Sequence, residues 1–145
     1  MCSQTLEWMV AGISLTLAPG AAEALSREIS PIGIKTLLVE PGTFRTDLLS
    51  QQNKKTVQTK FEDYRQLAET LESQFAGLNG NQPGDARKGV ERILDVVKGE
   101  KGTAGKEWPF SLPLGPDAVA GIRKKCEDVL RQVAEWESLS KSTDL

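Results

Sequence analysis

One run, residues 34–47, limits what this chain can fold into more than any other part of the sequence. It begins with a short apolar, β-branched stretch, residues 34–39, which predicts a buried strand. Pro41 and Gly42 then end the strand, because proline cannot donate to a sheet ladder and glycine lets the backbone approach another group closely. Open α/β sheets place ligand sites beyond the carboxyl ends of such strands. An ordinary strand and turn would read the same way, so these residues alone leave both interpretations open.

The sequence around this turn resembles the short-chain dehydrogenase/reductase family. The resemblance rests on Ser26-Arg27-Glu28, on Ser30 to Lys35 and on Val39-Glu40-Pro41-Gly42, within residues 20–48. In that family a helix is followed by a strand, and a Pro-Gly-x-x-x-Thr turn then closes over the nicotinamide ring. Pro41, Gly42 and Thr46 have this spacing. Residues 82–85, 112–118 and 136–144 resemble the ends of fungal-type members, so the similarity covers about residues 20 to 145.

The resemblance implies a fold, a cofactor and a set of contacts. The fold is α/β: a partial Rossmann-like, doubly wound parallel sheet with only its C-terminal strands and helices. The cofactor is NAD or NADP, and the substrate is a small-molecule carbonyl or alcohol. The cofactor-binding residues are Pro41, Gly42, Thr43 and Thr46. Thr43 is expected to offer a backbone group to the ring, and Thr46 to face the carboxamide while also capping a helix near Asp47.

The first half of the family pattern has no counterpart in this sequence. A full member opens with a Thr-Gly-x-x-x-Gly-x-Gly phosphate loop and carries a catalytic Tyr-x-x-x-Lys motif. The only tyrosine, Tyr64, comes after the turn and has Ala68 where the lysine should stand. The glycines at 77, 80 and 84 and at 99, 102 and 105 follow helical patterns and are interpreted as loops. No catalytic residue is therefore predicted, and the chain alone is expected to be inactive.

Composition excludes several other functions. The sequence has 18 Lys and Arg against 20 Asp and Glu, a net charge of −2, and no basic patch that would indicate a nucleic-acid partner. It has no histidine, which excludes histidine metal ligands and histidine-activated nucleophiles. Cys2 and Cys126 form neither a zinc motif nor a disulfide framework. Reduced thiols of this kind favour a cytoplasmic protein with no metal.

Residues 1–19 are expected to be a divergent N-terminal segment, separate from a C-terminal half-domain at 20–145. The stretch from residue 6 to 18 is apolar apart from Glu7, is too short to span a membrane and lacks the positive start of a secretory signal. Pro19 would stand within or beside the family's catalytic helix, where proline is costly. A divergent start and a short apolar cap over exposed sheet surface both remain open.

Periodicity places the other elements. Helices are predicted at 20–29, at 60–78, from Asp85 to Gly99, and from Pro116 or Asp117 onward. A second strand is predicted at 110–114, parallel to the first. Arg45 is expected to be a surface charge and Cys126 a core residue of the last helix. The predicted inward face of that helix comprises Ile122, Cys126, Val129, Leu130, Val133 and Trp136.

Three functions remain open at this stage. The chain is a truncated NAD(P)-dependent short-chain reductase, or an active reductase whose other half is supplied elsewhere, or a non-catalytic module that pairs with a complete family member. With few strands present, the first strand would have an unpaired edge, and such edges promote self-association.

Overall fold

The computed structural model describes residues 17–50, 52–53 and 60–144. Its helices are α1 (Leu17–Ile29), α2 (Arg65–Leu78), α3 (Ala86–Lys98) and α4 (Pro116–Lys141). Its strands are β1 (Leu38–Pro41), β2 (Phe44–Arg45), β3 (Gly84–Asp85) and β4 (Ser111–Leu114). Short 3-10 turns occupy Ser30–Ile32, Asp47–Leu49 and Glu62–Tyr64.

The central pairing is the parallel one between β1 and β4, which confirms the predicted α/β class. Leu38 lies opposite Ser111, and Pro41 lies opposite Leu114. A Ser111 hydroxyl donates across the pair to the carboxylate of Glu40. The connection from β1 to β4 contains the helices α2 and α3, since two parallel strands need a long crossover between them.

The predicted bounds of the first strand, 34–39, are wrong. The strand runs from Leu38 to Pro41, because backbone pairing with β4 starts only where the Leu38 N–H donates to the Phe110 carbonyl at 2.7 Å. The residues before it are held by Trp108 instead. The Trp108 Nε1–H donates to the Thr36 carbonyl at 2.7 Å, and the Lys35 Nζ lies 5.2 Å from the indole centroid. A distant side chain thus replaces the ladder in this stretch.

Helix α1 begins at Leu17 and not at residue 20 as predicted, so Pro19 lies in its first turn. Proline is tolerated there, because the N–H that it lacks would have no intrahelical partner anyway. Pro19 is therefore part of helix α1. The rest of the predicted N-terminal segment, residues 1–16, lies outside the described residues, and the proposed boundary with a C-terminal domain stays a prediction.

Helix α3 confirms both of its predicted ends. The Asp85 carboxylate accepts from the backbone N–H groups of Arg87 and Lys88 at 3.0 and 3.2 Å, which is N-capping. At the other end Gly99 has φ of 70°, the left-handed conformation that favours glycine after a helix. Both ends of this helix can therefore be predicted from the residues next to them in the sequence.

Helix α4 begins at Pro116, as predicted, but its predicted inward face is largely wrong. Ile122 is half-buried, whereas Cys126 and Val129 are exposed and Leu130 is 68% exposed. A helix of 26 residues is about 39 Å long, far longer than a strand of four residues can cover. Apolar residues do recur at helical spacing along α4, but among the described residues no element covers most of these side chains.

Candidate functional site

The carboxyl ends of β1 and β4 lie side by side and carry the Pro-Gly turn. The Gly42 N–H donates to the Leu114 carbonyl at 2.7 Å, which extends the pairing one residue beyond β1. Helix α4 starts two residues after Leu114, so its first turn lies against the turn that follows β1. This edge is where the sequence analysis expected a ligand site.

Asp117, in the first turn of α4, holds the turn in place. Its Oδ2 accepts from the backbone N–H of Thr43 at 2.5 Å. The carboxylate also lies at a helix N-terminus, where negative charge is favoured. In the sequence Asp117 is visible only as a helix start, and its contact with Thr43 is not, because the two residues are far apart along the chain.

The pKa of the Asp117 carboxyl reflects this bond. Partial burial raises the pKa, but hydrogen bonds from the Thr43 side chain and backbone and from the Ala118 backbone outweigh it. The net pKa lies below the ordinary value of 3.8. Asp117 is therefore a carboxylate at neutral pH, and its charge is part of the structure of the turn.

Gly42 is restricted by this carboxylate. A Cβ on Gly42 would lie 2.5 Å from the Asp117 Cγ and would collide with its oxygens. Because the carboxylate is committed to Thr43, it cannot move aside without losing that bond. Gly115 meets the same group: its φ is 104°, and a Cβ there would lie 2.7 Å from Oδ1. Gly42 thus has a structural requirement that sequence analysis did not find.

Phe44, two residues after Gly42, holds the end of the turn that leads away from β1. It pairs with Gly84 in the short parallel β2–β3 contact, which was not predicted. A Cβ on Gly84 would lie 2.8 Å from the Thr43 carbonyl, and one on Gly89 would lie 2.8 Å from the Phe44 ring. Gly84, just before α3, and Gly89, in its first turns, therefore leave room for the Phe44 ring and for the backbone of the turn.

Arg45 is exposed, as the surface-charge prediction expected, but its guanidinium also makes a structural contact. Its Nε and Nη2 donate to the Gln82 carbonyl at 3.2 and 3.0 Å, and Gln82 is only 2% exposed. Arg45 therefore ties the segment after β1 to the segment before α3. A cleft of about 450 Å³ next to this contact is lined by Arg45, Pro83, Gly84, Asp85, Ala86 and Arg87.

Thr46 caps the 3-10 turn Asp47–Leu49, as predicted. Its Oγ1 accepts from the Leu48 N–H at 3.4 Å, and the turn is closed by Ser50. A threonine hydroxyl that accepts one bond still has its own O–H to donate. Thr46 is exposed, so this donor can reach a ligand.

Thr43 has less to offer than the resemblance implied. Its backbone N–H is used by Asp117, and its carbonyl accepts from the Gly84 N–H at 3.0 Å. Its hydroxyl also bonds Asp117, so the backbone group that remains is the second lone pair of the carbonyl.

The remaining candidates contribute no second site. Tyr64 lies in a 3-10 turn, 60% exposed, with its ring edge-on to Phe61. Within the described residues no cluster of three or more metal-ligating side chains is found, and no helix is both long and apolar enough to cross a membrane. The Pro-Gly turn is the strongest candidate site in this part of the chain.

Comparison with known proteins bears on the fold and on the family that the chain resembles. No protein-family model matches the chain. It is 30% identical over 137 residues to "Oxidoreductase BOA17" of Botryotinia fuckeliana (strain B05.10), covering 94% of this chain and 44% of that protein. It superposes on a crystal structure of a short-chain dehydrogenase from Streptomyces avermitilis with a TM-score of 0.62 and 30% identity, covering 88% of this chain and 43% of the other.

The chain thus spans less than half the length of each relative. Sequence, fold and comparison agree on one assignment: the chain is short-chain dehydrogenase/reductase-like and corresponds to the C-terminal part of such a protein.

Proposed function

We propose that residues 20–145 supply the nicotinamide side of an NAD(P)-dependent oxidoreductase, with Pro41, Gly42, Thr43 and Thr46 as the cofactor-binding residues. The observation that carries this proposal is the position of the turn. It lies at the shared carboxyl edge of β1 and β4, and the Asp117–Thr43 bond holds it there.

The residues fit the ring end of such a cofactor. The Asp117 carboxylate fills the side of Gly42 where a Cβ would stand, so the fit to the ring rests on the exposed Thr46, whose O–H can donate to the carboxamide oxygen. The sequence has no Thr-Gly-x-x-x-Gly-x-Gly loop for the pyrophosphate, so the fit covers the ring end alone. NAD(P), when bound, supplies or accepts the hydride.

The substrate class and location follow from the same proposal. An oxidoreductase of this kind acts on a small-molecule carbonyl or alcohol, and the two cysteines favour a cytoplasmic setting. A second function, pairing with a complete family member without catalysis, is favoured by a specific observation. Apolar side chains of α3 are exposed, with Val90 at 56% and Val97 at 55%.

A chimera tests the first function. Residues 20–145 replace the matching C-terminal part of a full-length short-chain dehydrogenase whose NADPH-dependent turnover is known. If the turn forms the nicotinamide side, the chimera should bind NADPH and retain turnover. A folded chimera that binds the adenosine half, measured with 2′,5′-ADP, but does not bind NADPH more tightly would contradict the proposal.

A further inference from the structure

Helix α4 carries an apolar seam that the proposed cofactor site does not use. Its members are Ile122, Cys126, Val129, Val133 and Trp136, spaced alternately by four and three residues. This is the 3.5-residue repeat with which two helices pack along each other. The seam runs for about 21 Å at 1.5 Å per residue.

The first part of the seam lines a groove, and its last residues are exposed to solvent. The groove, about 450 Å³, lies between α4 and the sheet and is lined by ten residues: Pro19, Leu38, Glu40, Phe110, Ser111, Ile122, Lys125, Cys126, Val129 and Leu130. Past the groove, Val133 is 59% exposed and Trp136 is 56% exposed. A large aromatic side chain therefore lies exposed about two turns beyond the groove on the same helix.

We propose that two copies of this chain pair through α4 in antiparallel orientation, and that Trp136 of each copy occupies the groove of the other. A two-fold axis between Val129 and Val133 places these two residues opposite each other across the interface. The same axis sets Trp136 of one copy against Cys126 of the other. The contact is isologous, so it closes as a dimer.

Charge supports this orientation. Arg123 and Glu137 both flank the seam at the same heptad position, one near each end. Antiparallel helices bring the two ends together, so Arg123 of each copy meets Glu137 of the other. The present partner of Glu137 is Lys141 at 2.6 Å, an exposed pair within one helix that can be exchanged. The opposite face of α4 is polar: Asp128 bonds both Lys124 and Arg131.

Helix α3 provides the nearest rival surface. Val90, Leu94 and Val97 on this helix are also about half exposed. They span only two turns, line neither of the two clefts described above and include no aromatic side chain. Substitution of Leu94 is therefore the matched control.

Sedimentation of the full chain over a concentration series tests the surface. We expect a monomer–dimer equilibrium, with a dimer dissociation constant raised about 30-fold or more by Trp136→Ala, as for a buried aromatic anchor. Leu94→Ala should leave it within about twofold of the parent. A monomer at all concentrations, an unaffected Trp136→Ala dimer, or dissociation by Leu94→Ala would each overturn the proposal.

Charge reversal tests the orientation without touching the apolar seam. Arg123→Glu should weaken the dimer, and adding Glu137→Arg to it should restore the dimer, because the two charges then attract again in exchanged positions. Failure of the double variant to recover would contradict the antiparallel arrangement.

Cross-linking provides a distance check in a Cys2→Ser background. Trp136→Cys should form an interchain disulfide with native Cys126 on oxidation, whereas Ser138→Cys, on the outer face, should not. In the background chain Cys126 of one copy lies about 15 Å along the axis from Cys126 of the other. A Cys126-to-Cys126 disulfide there would indicate parallel pairing and overturn the proposal.

The seam lies along α4, away from the Pro-Gly turn, so this inference does not depend on the proposed cofactor site. The two proposals fail separately: the dimer can be absent while the chimera still binds NADPH, and NADPH binding can fail while the dimer still forms.

Discussion

At the scale of single residues, the Pro-Gly turn depends on one carboxylate. Asp117 accepts the Thr43 N–H at 2.5 Å and lies against Gly42, so turn and helix α4 are fixed together. Pro41, Gly42 and Thr46 were proposed from their resemblance to the family turn, which depends on residues close together in the sequence. Asp117 was not, because contacts between distant segments leave no local signal.

Gly42→Ala should destabilise the chain by on the order of 1–3 kcal/mol, the usual cost of forcing extra atoms into a packed site. Gly77→Ala is the matched control: Gly77 lies in α2 with nothing within 4 Å of its added Cβ. In a helix that change should be neutral or stabilise by up to about 1 kcal/mol. Urea unfolding midpoints measure both, and equal shifts for the two variants would show that Asp117 does not restrict Gly42.

The lowered pKa of Asp117 predicts an acid-dependent stability. A carboxyl whose pKa is lower in the folded state stabilises the fold above its unfolded pKa, and this contribution is lost as pH falls through the folded value. The pKa is lowered from 3.8, so the loss should occur below about pH 4. Asp117→Asn should be less stable at pH 7 and show a shallower acid limb in thermal unfolding. Parallel pH curves for the two proteins would rule this role out.

At the scale of elements, features set by neighbouring residues could be predicted from the sequence, whereas features set by contacts between distant segments could not. Both ends of α3 were predicted, since Asp85 and Gly99 act within one turn of the helix. Strand β1 was displaced by several residues, because its start depends on where Phe110 and Trp108 meet it. The β2–β3 pair, two residues on each side, has no periodicity for a sequence to show.

Asp85→Ala should cost about 1 kcal/mol, the usual loss for an N-cap carboxylate. Asp63→Ala is the control, because Asp63 lies in a 3-10 turn and is not its N-cap. Asp85→Asn should restore most of the loss, since asparagine also caps. Thermal unfolding compares the three, and an Asp85→Ala midpoint equal to that of Asp63→Ala would mean that the cap contributes nothing.

At the scale of the whole molecule, the described sheet is too small for its helices. Strands β1 and β4 are the central pair, and apolar side chains on α2, α3 and α4 remain exposed. Burying such surface contributes roughly 25 cal/mol per Å², so a partner that covers it is strongly favoured. The apolar patterns of these helices were visible in the sequence, but what covers them was not.

We expect no dehydrogenase turnover from this chain alone, and very weak or no binding of intact NAD(P). General acid catalysis by a Tyr and Lys pair contributes roughly 100- to 10,000-fold, and the sequence has neither a Tyr-x-x-x-Lys motif nor a Thr-Gly-x-x-x-Gly-x-Gly loop to hold the pyrophosphate at a helix N-terminus. Assays with NADPH and a panel of ketones, together with calorimetry, check both expectations. Measurable turnover or micromolar affinity would contradict them.

The most direct test of the proposed nicotinamide site is the NADPH dissociation constant of the chimera that carries residues 20–145. Gly42→Val should raise it at least about tenfold, or roughly 1.4 kcal/mol, because the side chain collides with Asp117, whose bond to Thr43 holds the turn in place. Thr46→Ser keeps the hydroxyl and should change it by less than about threefold, and the affinity for 2′,5′-ADP should stay constant in both variants. Equal effects of the two substitutions on NADPH, or a parallel loss of 2′,5′-ADP binding, would contradict the assignment of this turn to the nicotinamide.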